Sequence, residues 1–403
     1  MMRTRKNLSC SRLALFAGGG LLGLCLLLAG VSALVNRAVP QQLLVTDRLS
    51  AVDQARLQEG RRLREQLGGQ VLPGWDAADL PMIVYNEQYA FLVGLHNPPP
   101  GWTTIPAGQL IERPWEPVPA GASVGEPPIG GGYYRLRLPE NKSPQNFAVL
   151  VGEQPVSSMM QMEYFRVALA QQLRADLPAP LQPIFPYPLV TRLFMPGSDR
   201  WETALLHEQA HAYQYQRDAA RLMEAERAGF EQAKRYPWEA DDFRAAWQAE
   251  LDILAQGARA QTREDALAAA EQFLANRAAR RRAAGLAPEL AQYERQREWV
   301  EGIAKYVEWR VYRAAYEAAR EEPSTAVAGD PEFHNYQNYP RHWNNEVDQI
   351  RRMAGDHGDG RFYYSGMGQA LLLDLLDPTW KDRLFDDGVW LEDLLQAAVK
   401  DFE

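Results

Sequence analysis

A chain of 403 residues with 46% hydrophobic and 24% charged residues has room for two or three domains and ordinary globular composition, which excludes wholesale disorder, collagen and fibrous coiled coil. A formal net charge of −9 argues against nucleic acid as the main partner, because phosphate recognition needs clustered Lys and Arg. Cys10 and Cys25 are the only cysteines, so the body lacks thiols, and any metal site there must come from the six histidines and from carboxylates.

The chain opens with Arg3, Arg5, Lys6 and Arg12 and no acid, then runs 23 residues from Leu13 to Val35 without a charge. At 1.5 Å per residue such a helix spans a ~30 Å hydrocarbon core. The run is longer than the ~7–15 residues of a secretory signal core, so residues 1–36 are expected to be a signal anchor inserted through 13–35. Val31-Ser32-Ala33 offers small residues for cleavage, which would make the body secreted. In both cases the basic end stays inside. The expected location is the cell membrane, single-pass, with the body on the extracytoplasmic side. Without the four positive charges of residues 1–36 the body goes from −9 to −13.

Residues 37–79 read as a juxtamembrane linker with a short helix over Gln54–Gln66. Residues 80–197 read as a strand-bearing subdomain. Met82–Tyr85, Tyr89–Val93, the alternating Tyr133–Leu138 and Phe147–Val151 predict three strands or more, with long Pro/Gly-rich loops over 97–132. Ser158 with Gln161 has capping-box spacing and predicts a helix through Leu173. Prolines from Pro178 to Pro188 predict an extended stretch.

Residues 198–403 read as a helical subdomain. Asp199 with Glu202 predicts a helix start. Residues 218–320 predict helices broken near Pro237, at Thr262 and at Gly285–Pro288. Over 288–320, Val300, Ile303, Ala304, Val307, Val311 and Ala314 form one apolar stripe. Residues 323–361 read as a polar, aromatic-rich loop. Helices are expected over Gly366–Leu376 and Val389–Phe402.

His207-Glu208-Gln209-Ala210-His211 lies in the predicted helix that follows Asp199. Positions i and i+4 share a face ~5–6 Å apart, so two imidazoles can meet one Zn²⁺. Glu208, ~100° round the helix, can reach a water at that ion without binding it, which is the layout of a metal hydrolase. The pattern arises by chance in fewer than ~1 in 100 chains of this length. A catalytic zinc needs a third protein ligand. No third histidine follows at HExxHxxGxxH spacing, so a carboxylate on another helix is expected. Glu301 lies beside the apolar stripe and next to the small residues Gly302 and Ala304, which would allow close approach to the histidine helix. Glu298 and Glu308 compete with it. Glu308 is ~10.5 Å further along the helix and cannot share the ion with Glu301.

The HExxH helix followed by Glu301-Gly302-Ile303-Ala304-Lys305-Tyr306-Val307-Glu308 resembles the gluzincin zinc metallopeptidases, in particular peptidase MA-like domains. The resemblance covers residues 198–217 and 298–309. It implies His207, His211 and Glu301 as Zn²⁺ ligands, Glu208 as general base and a peptide or protein substrate. It also implies a downstream Tyr or His donor for the oxyanion. His334, His342, His357, Tyr363 and Tyr364 are available, and Tyr364 is the expected donor. Three features depart from the family pattern. The gap from His211 to Glu301 is 90 residues, so the helices of 218–285 would be an insertion. Lys305 stands where thermolysin-like enzymes place an Asp that orients a ligand histidine. No GxMEN-type motif precedes the zinc helix. The resemblance further implies an edge strand for extended substrate, with Met82–Tyr85 and Leu189–Phe194 as candidates.

The expected fold class is thus α+β and mostly helical: a transmembrane helix, a small sheet, and a zincin-like helical domain with a helical insertion. The expected function is a membrane-anchored zinc metallopeptidase. Two alternatives stand beside it: a non-catalytic exported interaction module with a structural or absent metal, and a zinc hydrolase of a non-peptide amide.

Overall fold

The structure, a computed structural model, describes residues 23–24, 26–118, 132–140, 142–195, 197–321, 324–325 and 327–402. Cys10, Cys25 and residues 13–22 of the expected anchor lie outside the described residues. Residues 26–36 are helical, and among the described residues no helix is long and apolar enough to cross a membrane.

In chain order the elements are α1 (Ala51–Val71), β1 (Met82–Tyr85), β2 (Tyr89–Val93), β3 (Trp102–Thr104), β4 (Leu110–Ile111), β5 (Glu116–Pro117), β6 (Tyr133–Arg137), β7 (Phe147–Val151) and β8 (Gln154–Met160). Then come α2 (Met162–Asp176), α3 (Tyr187–Phe194), α4 (Ser198–Arg217), α5 (Ala219–Gln232), α6 (Asp241–Gly257), α7 (Arg263–Ala283) and α8 (Pro288–Arg297). A π-helical turn, Glu298–Gly302, leads into α9 (Ile303–Ala319), followed by α10 (Tyr339–Ile350), α11 (Gly360–Leu376) and α12 (Leu391–Lys400). The chain is α+β and largely helical, divided into two compact units.

The first unit comprises Met1–Leu44 and Met162–Pro196. Leu189–Phe194, expected to be extended, belongs to α3. Pro188 stands in the first turn of that helix, where its missing N–H costs nothing. This segment therefore offers no strand edge.

The second unit comprises Val45–Gln161 and Gly197–Glu403, so most of the expected strand-bearing subdomain and the whole helical subdomain fall in one unit. Its sheet has eight strands in the order β4-β3-β7-β8-β1-β2-β6-β5, with β1 and β8 parallel and the other pairs antiparallel. Met82–Tyr85 is thus an interior strand, paired on both sides, and not an edge. The edges are β4 and β5, both inside the stretch read as loops. Seven gaps of ~4.8 Å would hold the edges of a flat sheet ~34 Å apart. Only residues 112–115 join β4 to β5, a reach of at most ~19 Å, so the sheet must curl toward closure. Ser158 lies inside β8 and caps no helix, and the Gln161 side chain instead donates to Asp53 at 2.7 Å.

The helices of 218–320 break where the turn residues place them. Thr262 caps α7 by accepting the Asp265 N–H at 3.1 Å, Gly285 takes a φ of +55°, and Pro288 opens α8. Asp199 does not act as the cap of α4, because its carboxylate accepts the main-chain N–H groups of His334 and Tyr336 at 2.8 and 3.0 Å. Within the expected 323–361 loop the structure forms α10. The expected insertion is α5, α6 and α7. Buried Arg277 and Arg280 on α7 pair with Glu250 of α6 and with Glu294 and Glu298, which locks the insertion onto α8 and the π turn. Such buried charges persist only when paired.

Candidate metal centre

The site is built on α4. This helix packs on β7 and β8 and also on α1 and α9, which is why residues on most of its faces are buried. His207 and His211, one turn apart, turn their Nε2 atoms toward the same oxygen. Glu301 Oε2 lies 3.6 Å from His207 Nε2 and 3.4 Å from His211 Nε2, and all three residues are buried. His207, Glu208 and His211 also offer ligand atoms within 4.8 Å of one another. Phe147 of β7 walls the site, its ring centre 4.4 Å from that of His211.

The spacing around Glu301 Oε2 is informative. It is too long for hydrogen bonds, which run ~2.7–3.2 Å, and this buried oxygen has no hydrogen-bond partner. Two bonds of ~2.0–2.1 Å at a tetrahedral angle put their ligand atoms ~3.3–3.4 Å apart. A buried anionic oxygen without a donor is costly, and positive charge among the three atoms, a proton on His207 or a bound cation, removes that cost. Two imidazole nitrogens and one carboxylate oxygen also form a donor set suited to Zn²⁺. The residues present therefore fit a zinc-type ion.

The surroundings aim each ligand. Arg297 Nη2 holds Glu301 Oε1 at 2.8 Å, which leaves Oε2 to face the imidazoles, and Glu226 and Asp359 hold Arg297 in turn. His211 Nδ1 is 3.0 Å from Gln214 Oε1, while Gln214 Nε2 donates to the carbonyls of Trp299 and Val300 at 2.6 and 3.2 Å. Glu308 stands behind His207, its Oε2 3.6 Å from Nδ1, and is paired with Arg200 at 2.7 Å and Lys305 at 3.1 Å. Glu298 is turned away to Arg277, at 2.8 Å, and to Ser365. Gly302 serves a different contact from the one its size suggested: it faces Gly366 of α11 rather than the histidine helix.

Electrostatics follow from burial and these neighbours. Against the penalty of burial, His211, His207 and Arg297 hold the Glu301 carboxyl well below the usual carboxylate range. Also against burial, Glu301 and Glu308 push His207 up to about 9, so the field at this imidazole favours positive charge. Burial pushes the partly exposed Glu208 up to about 8, with His207 opposing and Glu301 and Glu308 adding to the rise.

Tyr364, the expected donor, gives its hydroxyl to Glu346 at 2.9 Å. Its neighbour Tyr363 is the residue that stacks on His207, with ring centres 5.5 Å apart and planes 12° from parallel. Burial and then the Glu301 carboxylate raise the pKa of the Tyr363 hydroxyl well above 10, which keeps its proton in place. His342 meets Tyr312 at 3.0 Å, His357 meets Glu239 at 3.0 Å, and His334 lies 3.9 Å from Asp199, each away from the histidine pair. Gln214, Arg297 and Tyr363 were not singled out as partners from sequence. For Gln214 a signal exists: it lies three residues after His211 and seven after His207, on their face of α4. No family model, curated protein or solved structure matches the chain, so the gluzincin resemblance rests on the sequence motifs alone.

Proposed function

We propose that this chain is a zinc-dependent metallopeptidase of gluzincin type, anchored in the cell membrane by residues 13–35 with its body on the extracytoplasmic side. His207, His211 and Glu301 would hold the ion. The observation that carries this reading is the buried, unpartnered Glu301 Oε2, set 3.6 and 3.4 Å from two imidazole nitrogens. When bound, zinc supplies Lewis acidity that polarises a carbonyl and acidifies water. Glu208, next to His207 on the helix, would take a proton from the attacking water and return it to the leaving nitrogen. Tyr363, whose ring stacks on His207, would donate to the developing oxyanion. Phe147 and the stacked Tyr363 ring limit water around the imidazoles.

The test is elemental analysis joined to a peptide-library assay. Wild-type protein should carry about one zinc per chain. Glu208→Gln should keep that zinc and lose ~10²–10⁴-fold in hydrolysis. Protein that takes up no zinc, or a Glu208→Gln variant with full activity, would sink the reading.

A further inference from the structure

Gln214 sits where the two halves of the site meet, and its hydrogen bonds admit only one assignment. Its side chain is fully buried, and its two ends face opposite kinds of group. One end touches the carbonyl oxygens of Trp299 and Val300 at 2.6 and 3.2 Å. Carbonyl oxygens only accept, so that end must be the amide NH₂. The other end, Oε1, therefore faces His211 Nδ1 at 3.0 Å. An amide oxygen also only accepts, so Nδ1 must carry the proton. A neutral imidazole has one N–H, which leaves Nε2 with a bare lone pair. Nε2 is the nitrogen 3.4 Å from Glu301 Oε2.

The two carbonyls are not ordinary helix carbonyls. Trp299 and Val300 lie in the π-helical turn Glu298–Gly302, the turn that also carries Glu301. A π turn holds one residue more than an α turn and loosens the regular carbonyl ladder, so a side chain can bond into it. One amide thus reads the backbone position of the Glu301 turn and sets the tautomer of His211.

We infer that Gln214 is a positioning residue for metal binding: through the π-turn carbonyls it fixes the Nδ1–H tautomer of His211 and couples that ligand to Glu301. This rests on the metal reading proposed above but makes a claim of its own, about which nitrogen is free and what holds it so. Glu at this position would keep an acceptor for the His211 Nδ1–H but set its second carboxylate oxygen against the two carbonyls. Met would fill the space and bond neither end.

The experiment uses the full chain with ¹⁵N-labelled histidine, with and without added Zn²⁺, and compares wild type with Gln214→Met and Gln214→Glu. Histidine ¹⁵N shifts should show His211 with a proton on Nδ1, and zinc on Nε2 once loaded. Competition with a chelator should show zinc held ~10–100-fold more weakly by Gln214→Met, the usual loss when a partner behind a ligand is removed. Zinc bound through Nδ1, or Gln214→Met binding zinc as wild type does with an unchanged His211 spectrum, would overturn the inference and leave the metal reading intact. Wild type that shows the Nδ1–H tautomer but takes up no zinc would end the metal reading, and with it the role in metal binding. A variant that fails to fold leaves the wild-type spectra to decide, because they need no substitution.

Discussion

A side chain at residue 302 would have no room beside Gly366: a Cβ on Gly302 would lie 2.4 Å from the Gly366 Cα and 3.1 Å from the Phe362 carbonyl. This backbone contact presses the π turn carrying Glu301 against α11, the helix carrying Tyr363. Two glycines, 64 positions apart in the chain, thereby join the proposed third ligand to the tyrosine above His207.

Gly302→Ala is therefore expected to destabilise the protein by about 1–3 kcal/mol through overpacking and to lower its zinc content, because relief must come from moving the turn or α11. Gly329→Ala, where an added Cβ meets nothing within 4 Å, is the control. Urea unfolding midpoints and zinc per chain check both. Equal stability and zinc content in the two variants would contradict the contact.

The two adjacent tyrosines should separate in a kinetic test. Tyr363→Phe removes a hydroxyl beside Glu301 and is expected to lower kcat ~10²–10³-fold, the usual size for one oxyanion donor, while the phenyl ring keeps its place on His207. Tyr364→Phe removes a hydroxyl bonded to Glu346 and should leave kcat within a few-fold of wild type. The opposite ranking would return the role to Tyr364.

A third prediction concerns pH and stability away from the metal site. The Tyr336 hydroxyl lies 2.8 Å from Glu59 Oε1 and 2.7 Å from Glu202 Oε2, yet it has one proton to donate. One of the two carboxyls must therefore carry a proton of its own. Burial raises Glu202 well above its ordinary value, the Tyr336 hydrogen bond opposes this, and Glu59 and Asp199 add to the rise. A carboxyl raised on folding contributes stability that is fully present below its unfolded pKa of ~4.3 and is lost as pH rises through its folded value. Glu202→Gln removes this titration. Between pH 5 and 8 wild type should lose stability relative to the variant, by up to about 1.4 kcal/mol per pH unit. Urea unfolding across that range measures the difference, and parallel curves would exclude a protonated Glu202.

The local elements were legible where a local rule governs them. Thr262 and Asp265, Gly285 and Pro288 place helix boundaries through capping, positive φ and a fixed proline ring, and the structure has its boundaries there. The same kind of rule misled where distant partners took the side chains. Ser158 and Gln161 have capping-box spacing, but Gln161 is bound to Asp53, 108 positions away, and Ser158 is in a strand. Asp199 marks a helix start and α4 does begin at Ser198, but the carboxylate accepts the main-chain N–H groups of His334 and Tyr336 instead of capping the helix. The short strands β3, β4 and β5 carry little pattern of their own and exist because neighbouring strands pair with them.

The sequence by itself determined the histidine pair and the acid between them, because i,i+4 spacing on one helix needs nothing beyond that helix. It also pointed to a carboxylate as the third ligand the proposed site needs, since the body has no cysteine and no histidine follows the HExxH pair at HExxHxxGxxH spacing. The sequence also singled out Glu301 over Glu298 and Glu308; only the tertiary structure brings its carboxylate to both imidazoles and sets Tyr363, not Tyr364, over His207. A π turn adds one residue to the helix and shifts its phase by ~100°, and the Gly302–Gly366 contact sets its depth. Those two features bring Glu301 to both imidazoles and Tyr363 over His207, and neither leaves a periodic trace in the chain, because each depends on backbone from a distant segment.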